Sequence, residues 1–189
     1  LTSAYLFPRG ERFDAIRDYE YFDTARNISL QNWNYGDDLK MQNPYWVTHR
    51  MVKTTKRNRY LTDLGVKYRL TDWLAFEGRF RRDEAANRIE DKRYASTLDI
   101  FAHSPYGYYG YCKVNDRTRY ADFMADAARH WEDFSVKANF GAAFSYTSYD
   151  VTGFQGGLKA PSNLFTPNAI DYSKVTGDNR PIFELTRHT

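Results

Sequence analysis

The sequence lacks the features by which several protein classes are recognised. Cys112 is the single cysteine among 189 residues, so the chain can form neither an internal disulfide nor a thiolate metal site. No segment approaches the roughly 20 apolar residues of a membrane-spanning helix, and the mean hydropathy is -0.74. A net charge of +3 gives no reason to expect a nucleic-acid partner. The chain starts at Leu1 with neither an initiator methionine nor a signal sequence, and we expect a mature product or an internal piece of a longer protein.

Signatures of catalysis are missing as well. No two histidines have the spacing of metal ligands on a helix, and no zinc-protease, nucleophile-elbow, P-loop or dinucleotide motif occurs. Adjacent carboxylates such as Glu132 and Asp133 fall in predicted loops or turns, which supply no cleft to hold two carboxyls roughly 5–10 Å apart for glycoside hydrolysis. Asp37, Asp38 and Asn34 carry the hard oxygen atoms that Ca²⁺ prefers, but no wider ligand set accompanies them. We predict no enzyme activity, no cofactor and no metal.

Aromatic side chains are what the sequence has in excess, at 17% of residues, with 16 Tyr, 13 Phe and 4 Trp. Such a composition favours β structure. It suits either a membrane barrel with aromatic girdles at the lipid–water boundaries or a surface that binds sugars.

Strict alternation of apolar and polar residues indicates two hairpins. The first, residues 59–82, has alternating runs on either side of the short polar turn T-D-W. The second, residues 119–146, repeats the pattern around the turn H-W-E-D. Each turn carries a tryptophan, Trp73 or Trp131. Each strand has about the 9–11 residues that a tilted strand needs to cross a bilayer.

Both hairpins have an apolar face and a face that carries charges of both signs. A basic side chain at mid-depth in lipid costs roughly 2–4 kcal/mol, so we expect the charged face to line a barrel interior and the apolar face to meet lipid. The charged set consists of Asp63, Lys67, Arg69, Glu77, Arg79, Arg81, Asp122, Asp126 and Lys137.

Longer segments without alternation flank the hairpins. We expect extracellular loops over residues 1–58, 83–118 and 147–179, a helical turn or two near residues 83–93, and the start of another strand over residues 180–189. Short turns opposite long loops are typical of outer-membrane barrels. The predicted fold is therefore all-β, a segment of a large antiparallel transmembrane β-barrel with short periplasmic turns. Four complete strands cannot close a barrel, since the smallest have about 8, so we expect the segment to belong to a longer chain.

Four motifs follow one another in an order that resembles a known family. Q-N-P-Y-W at residues 42–46 is followed by R-N-R-Y-L-T-D-L-G-V-K-Y-R-L-T-D-W-L-A-F-E-G-R at residues 57–79. Residues 120–141 form a hairpin sequence with D-F near its start and N-x-G at its close. A-P-S-N-L-F-T-P-N-A occupies residues 160–169, with Ser162 as a slight lengthening of the usual spacing. This series is similar to the barrel of SusC/RagA-type TonB-dependent transporters of Bacteroidetes.

The resemblance implies an outer-membrane barrel of about 22 strands, plugged by an N-terminal domain that these residues do not contain. It also implies a SusD-like surface lipoprotein as a lid, energy supplied through TonB, and nutrient uptake by glycan import or peptide import without chemistry on the cargo. The residues alone leave two other functions open. One is a soluble or secreted β-rich carbohydrate-binding module, and the other is a surface assembly component that transports nothing.

Aromatic residues of the first two predicted loops are the candidates for contact with an oligosaccharide or peptide substrate. An aromatic ring with a polar tip stacks on sugar rings and on peptide side chains. The alternative is that these rings pack the loops together or against a lid protein. The candidates are Trp33, Tyr35, Tyr45, Trp46, Tyr106, Tyr108, Tyr109 and Tyr111.

Overall fold

The computed structural model describes residues 10, 12–33, 41–173 and 182–189. The chain divides into two units, each treated by itself below. Unit 1 comprises Leu1–Lys56, Arg88–Cys112 and Thr152–Phe183, and unit 2 comprises Arg57–Asn87, Lys113–Val151 and Glu184–Thr189. In the described ranges no helix is both long and apolar enough to span a membrane.

Short regular elements occupy much of the region before residue 51, where a loop was expected. They are a 3-10 helix (Phe13–Arg17), the antiparallel strands β1 (Glu20–Asp23) and β2 (Ile28–Gln31), and helix α1 (Pro44–Arg50). Helix α1 has a local start signal, because Asn43 Oδ1 accepts a hydrogen bond from the Tyr45 backbone N at 2.9 Å and Pro44 stands in the first turn. Strands β1 and β2 fit a loop with short extended pieces, but a loop as far as residue 58 is wrong over α1 and over residues 51–58, which belong to a longer strand described next.

Five long strands form a second sheet and follow one another in chain order. They are β3 (Met51–Thr71), β4 (Leu74–Arg93), β5 (Tyr108–His130), β6 (Ser135–Gly157) and β7 (Ile182–His188), with the short helix α2 (Asp99–Ala102) between β4 and β5. The sheet is antiparallel and, among the described residues, open, with β3 and β7 at its edges. The prediction of antiparallel hairpins is confirmed, and the chain is mostly β with two short α-helices in the described ranges.

Both tight turns lie where the sequence predicted them. Residues 72 and 73 separate β3 from β4, and the backbone N of Ala128 on β5 donates a hydrogen bond to the carbonyl of Trp73 at 2.8 Å. At the second turn the backbone N of Trp131 donates to the carbonyl of Phe134, also at 2.8 Å. The polar, tryptophan-bearing breaks in the alternation therefore mark true chain reversals.

The strands of both hairpins are longer than the alternation suggested. Residues 83–93 continue β4 and form no helical turn, and the loop predicted over residues 83–118 shrinks to residues 94–107. Strand β6 likewise extends into the loop expected from residue 147. The cause lies in residues 84–92, where charged side chains on both faces of the strand conceal the alternation while the backbone stays paired. The strand expected near residues 180–189 is present as β7.

The buried apolar residues belong almost entirely to unit 1. Trp46 is completely buried and donates a hydrogen bond from Nε1 to Thr97 Oγ1 at 3.1 Å. Leu158 and Ile170 are each 1% exposed and form an isolated bridge that closes the segment after β6. Burial of such side chains stabilises a fold by roughly 1.5–3 kcal/mol each, so unit 1 has a core of the ordinary globular kind.

Gly107 shows how tightly the segment before β5 is packed. Its φ is +107°, and a Cβ atom there would lie 2.7 Å from the carbonyl oxygen of Arg93. Its own carbonyl accepts a hydrogen bond from the backbone N of Leu158 at 2.8 Å. Only glycine meets both conditions without displacing the neighbouring backbone.

Candidate functional site

Unit 2 carries an ion-paired face whose charges were predicted to share one side of the sheet. Arg81 donates from Nε to Asp63 at 2.8 Å, and Arg79 donates from Nε to Asp122 at 3.0 Å. Further pairs are Arg59 with Asp83, Lys67 with Glu77 and Arg79 with Glu77. Alternate residues of a strand share a face, so the cross-strand pairs confirm that the charged residues share one side of the sheet. Because ion pairs between exposed side chains contribute about 0–1 kcal/mol each, these pairs favour one register of the strands more than they stabilise the sheet.

The opposite side of unit 2 is an apolar face exposed to solvent. Its rings pack in places, as where Phe76 on β4 stacks on Phe123 on β5 with centroids 5.7 Å apart. Phe140 is nevertheless 71% exposed and Val66 69% exposed. Among the described hydrophobic residues of this unit only Ala85 is buried. The exposed members of the face are Tyr60, Leu64, Val66, Tyr68, Leu70, Phe80, Phe123, Phe134, Val136, Phe140 and Phe144.

Both turn tryptophans lie at one end of this face. Trp73 is 43% exposed, and Trp131 is 41% exposed. Trp131 stacks on Phe134 with centroids 4.8 Å apart, and the Arg129 guanidinium lies 5.4 Å from its ring. An indole that presents an apolar ring and a polar N–H suits a boundary between an apolar medium and water.

The structure separates the four candidates of the first predicted loop. Trp46 is buried and bonded to Thr97, so it packs unit 1 and is not open to a ligand. Trp33 is half-buried. Tyr35 lies outside the described residues. Tyr45 is also half-buried, so Trp33 and Tyr45 remain accessible in part, whereas Trp46 packs the interior of unit 1.

Tyr45 belongs to a stack of three rings that the sequence did not reveal. Its centroid lies 6.4 Å from that of Tyr19 and 6.2 Å from that of His49, and all three ring planes are within 20° of one another. His49 is exposed, and its Nδ1 lies 2.8 Å from the carbonyl of Tyr45. The spacing of Tyr45 and His49 on α1 is i, i+4, a signal for ring contact, but the position of Tyr19 depends on a fold that no local pattern predicts.

The four candidates near the start of β5 also divide into two buried and two accessible residues. Tyr109 is buried, and its hydroxyl donates to Glu90 Oε1 at 3.1 Å. Burial, and after it this carboxylate, raise the pKa of Tyr109 to about 12. Tyr108 is also buried, beneath the guanidinium of Arg93, 4.4 Å from the ring centroid.

The other two tyrosines of that group remain accessible. Tyr106 is exposed, and Tyr111 is half-buried and stacked on Phe154 with centroids 5.5 Å apart. Substrate contact is therefore open to Trp33, Tyr45, Tyr106 and Tyr111, whereas Trp46, Tyr108 and Tyr109 are core residues of unit 1.

Asparagines from two sequence motifs act as connectors in unit 1. Asn163, at φ +61°, accepts a hydrogen bond on Oδ1 from the Ala95 backbone N at 2.7 Å. Asn43 donates from Nδ2 to the carbonyls of Ile16 at 2.9 Å and Asn32 at 3.2 Å. The motifs that carry the family resemblance thus supply buried polar links between distant segments, a role that sequence reasoning missed.

No cluster of three metal-binding side chains occurs in the described ranges. Asp37, Asp38 and Asn34 lie outside them. A cavity of about 90 Å³ on the ion-paired side is lined by Arg57, Arg59, Asp83, Ala85, Asp116 and Thr118. That volume is well below the roughly 300–1,000 Å³ of small-molecule pockets, so it has no room for a sugar ring or a dipeptide.

A comparison with models of known protein families and with curated protein sequences found no match to this chain. Any function must therefore be argued from its own residues.

Proposed function

We propose that unit 2 is part of the wall of an outer-membrane β-barrel, with the apolar face in lipid and the ion-paired face in the interior. The supporting observation is the division of apolar and charged side chains between the two sides of one sheet. A contiguous exposed apolar surface of this extent marks contact with another apolar phase. Ion pairs on the opposite side are what a water-filled or plugged lumen requires.

The dimensions of the apolar face support lipid as its partner. Its most continuous runs, residues 60–70 on β3 and 134–144 on β6, are each about 11 residues long. At a rise of about 3.3 Å per residue and a tilt near 45°, such a run covers roughly 25 Å along the membrane normal. That height equals the apolar band of outer-membrane barrels. In this proposal the turns at Trp73 and Trp131 face the periplasm.

The open edges of the sheet support a larger barrel. Among the described residues β3 and β7 each have a neighbour on one side only. Unpaired backbone N–H and C=O groups cost several kcal/mol each in hydrocarbon, so both edges require further strands. A large barrel such as the TonB-dependent transporters is the arrangement that meets this requirement without exposing edges.

The specific proposal is a nutrient importer of the SusC/RagA type, a TonB-dependent outer-membrane protein that works with a SusD-like lipoprotein on oligosaccharides or peptides. It rests on the ordered series of four motifs and on the use of Asn43, Trp46 and Asn163 from them to build unit 1. The exposed ring of Tyr106 and the half-buried rings of Tyr45 and Tyr111 supply the aromatic surface for cargo. The function requires no catalytic group.

Two experiments test these statements separately. For the membrane wall, the chain is folded with and without detergent micelles, and we expect native β structure in unit 2 only with micelles. A folded monomer in plain buffer would contradict the proposal and favour a soluble carbohydrate-binding module. For import, cells that lack the full-length gene are grown on individual glycans and peptides, and we expect a growth defect on at least one. Unchanged growth on all of them would favour a surface component that transports nothing.

A further inference from the structure

Three arginines lie on the apolar side of β4 and β5, farther from the turns than Phe80 and Phe123 of the same strands. Phe76, Phe80 and Arg82 have the same parity on β4, and Phe123, Arg119 and Arg117 have the same parity on β5. The stacked pair Phe76 and Phe123 shows that these two parities share one side of the sheet. The arginines therefore face the same side as the apolar residues and not the ion-paired side.

The register of β4 against β5 brings the three arginines to one level. Three contacts join these strands: Phe76 stacks on Phe123, Arg79 bonds Asp122, and farther along Glu90 bonds Tyr109. All three are consistent with a single register of β4 against β5, to within one diagonal neighbour. In an antiparallel pair, a step along one strand matches a step back along the other. Six residues after Phe76 is Arg82, and six residues before Phe123 is Arg117. Arg82 therefore stands opposite the segment from Arg117 to Arg119.

Two of these arginines are free to bind an anion. Arg117 and Arg119 are exposed, and no ion pair involves either of them within the described residues. Arg82 pairs with Glu84 at 2.7 Å. The nearest other carboxylate of the same parity on β6 is Asp150, which accepts a hydrogen bond from Ser148 at 3.3 Å. The local excess of charge is positive and lies on β5.

We propose that Arg82, Arg117 and Arg119 bind phosphate groups of lipid headgroups in the outer leaflet. Guanidinium groups bind phosphate in a bidentate manner and remain charged at any physiological pH. Arg119 is four residues from Phe123, roughly 13 Å along the strand, so the basic group begins where the apolar face ends. A lipid with an anionic headgroup can contact both surfaces, the headgroup binding the arginines and the acyl chains contacting the apolar face. A free phosphate can contact only the arginines. The inference rests on the proposed lipid contact of the apolar face.

The test compares binding of the full chain to three kinds of phosphatidylcholine vesicle: pure, mixed with bisphosphorylated lipid A, and mixed with dephosphorylated lipid A. The variant is R117Q/R119Q. The matched control is R69Q/K137Q, which removes two exposed charges from the opposite parity, where neither forms an ion pair within the described residues. One basic side chain near an anionic surface strengthens binding about fivefold, so we expect R117Q/R119Q to bind phosphorylated vesicles roughly 25-fold more weakly. The control should bind like the wild type.

The outcomes separate this inference from the proposed function. Equal binding of R117Q/R119Q and wild type to phosphorylated vesicles overturns the headgroup site and leaves the lipid-facing wall intact. Failure of the wild type to bind any vesicle overturns both. Binding of the wild type to inorganic phosphate alone, as tight as its binding to phosphorylated vesicles, contradicts a headgroup site and indicates a plain phosphate site. If R117Q/R119Q does not fold, the singles R117Q and R119Q should each bind phosphorylated vesicles about fivefold more weakly than the wild type.

Discussion

The two units handle apolar side chains in opposite ways. In unit 1, Trp46, Ile16, Leu158 and Ile170 are almost fully buried and the polar atoms beside them are bonded. In unit 2, large apolar residues such as Phe140 are exposed, while charged residues such as Arg79 and Asp122 form pairs. One part of the chain thus folds around its own core, whereas the other leaves its apolar side uncovered, and we propose that lipid covers that side. The predictions below test this contrast, beginning with the largest effect.

Replacement of Trp46 by Ala should unfold unit 1. The indole is completely buried and bonds Thr97, so its removal leaves a large cavity and an unpaired hydroxyl. We expect a loss of about 3–5 kcal/mol in the free energy of unfolding, measured by hydrogen exchange of the amides around Thr97. Trp73→Ala is the matched control, because that side chain is 43% exposed, and it should cost less than a third as much. Similar losses in both variants would show that the contrast between the units is wrong.

Replacement of Phe140 by Arg should block insertion of unit 2 into a membrane and leave unit 1 folded. A basic side chain on the lipid face costs roughly 2–4 kcal/mol at the midplane. The neighbouring change Lys137→Gln lies on the other side of β6 and should be tolerated. An outer-membrane assembly assay measures the folded fraction of each variant. Comparable assembly of Phe140→Arg and Lys137→Gln would reject the assigned facing.

The Asn163 side chain offers a smaller test within unit 1. Ala at this position loses the hydrogen bond to the Ala95 backbone N and must adopt φ near +61°, which together cost about 2 kcal/mol. Gly loses the same bond but tolerates the backbone angle, so Asn163→Gly should cost about half as much. Thermal unfolding of the two variants measures the difference. Equal losses would show that the backbone angle does not constrain this position.

The pair of Tyr109 and Glu90 predicts a loss of stability in alkaline solution. The folded state raises the pKa of Tyr109 from 10.0 to about 12, so the folded chain holds its proton more tightly than the unfolded chain. The resulting stabilisation is complete below about pH 10 and disappears as the pH rises through about 12. Urea unfolding of unit 1 across that range should therefore show falling stability. In Tyr109→Phe this fall should be shallower, and an unchanged pH dependence would refute the assignment.

The sequence predicted the hairpin turns and the facing of unit 2 because both are local. Alternation places Asp63 and Arg81 on one side whatever the rest of the chain does, and the breaks at T-D-W and H-W-E-D need only neighbouring residues. The prediction of strand ends failed where charged residues occupy both faces of a strand, as at Glu90 and Asp91. Such a segment shows no alternation of apolar and polar residues from which a strand could be predicted.

Unit 1 could not be predicted because its contacts join residues far apart in sequence. Trp46 bonds Thr97, and Asn163 bonds Ala95 across 68 residues. The residues around Asn43 and Asn163 are typical of turns when only their neighbours are considered. Tyr108 and Tyr109 are buried because β5 begins earlier than expected. Composition correctly selected aromatic residues as the important class but could not distinguish a ring in the core from a ring at the surface.

The edge strand β3 has a consequence for how the chain reaches its folded state. Its 21 residues contain no proline, and the basic residues Lys53, Lys56, Arg57 and Arg59 occupy its first half. Like charges of this kind repel a second copy of an edge and discourage pairing between molecules. From Tyr60 to Val66 there is no basic residue, so that stretch is a template on which strands of other molecules can add. We therefore expect association between unfolded molecules to involve residues 60–66 more than the basic first half of β3.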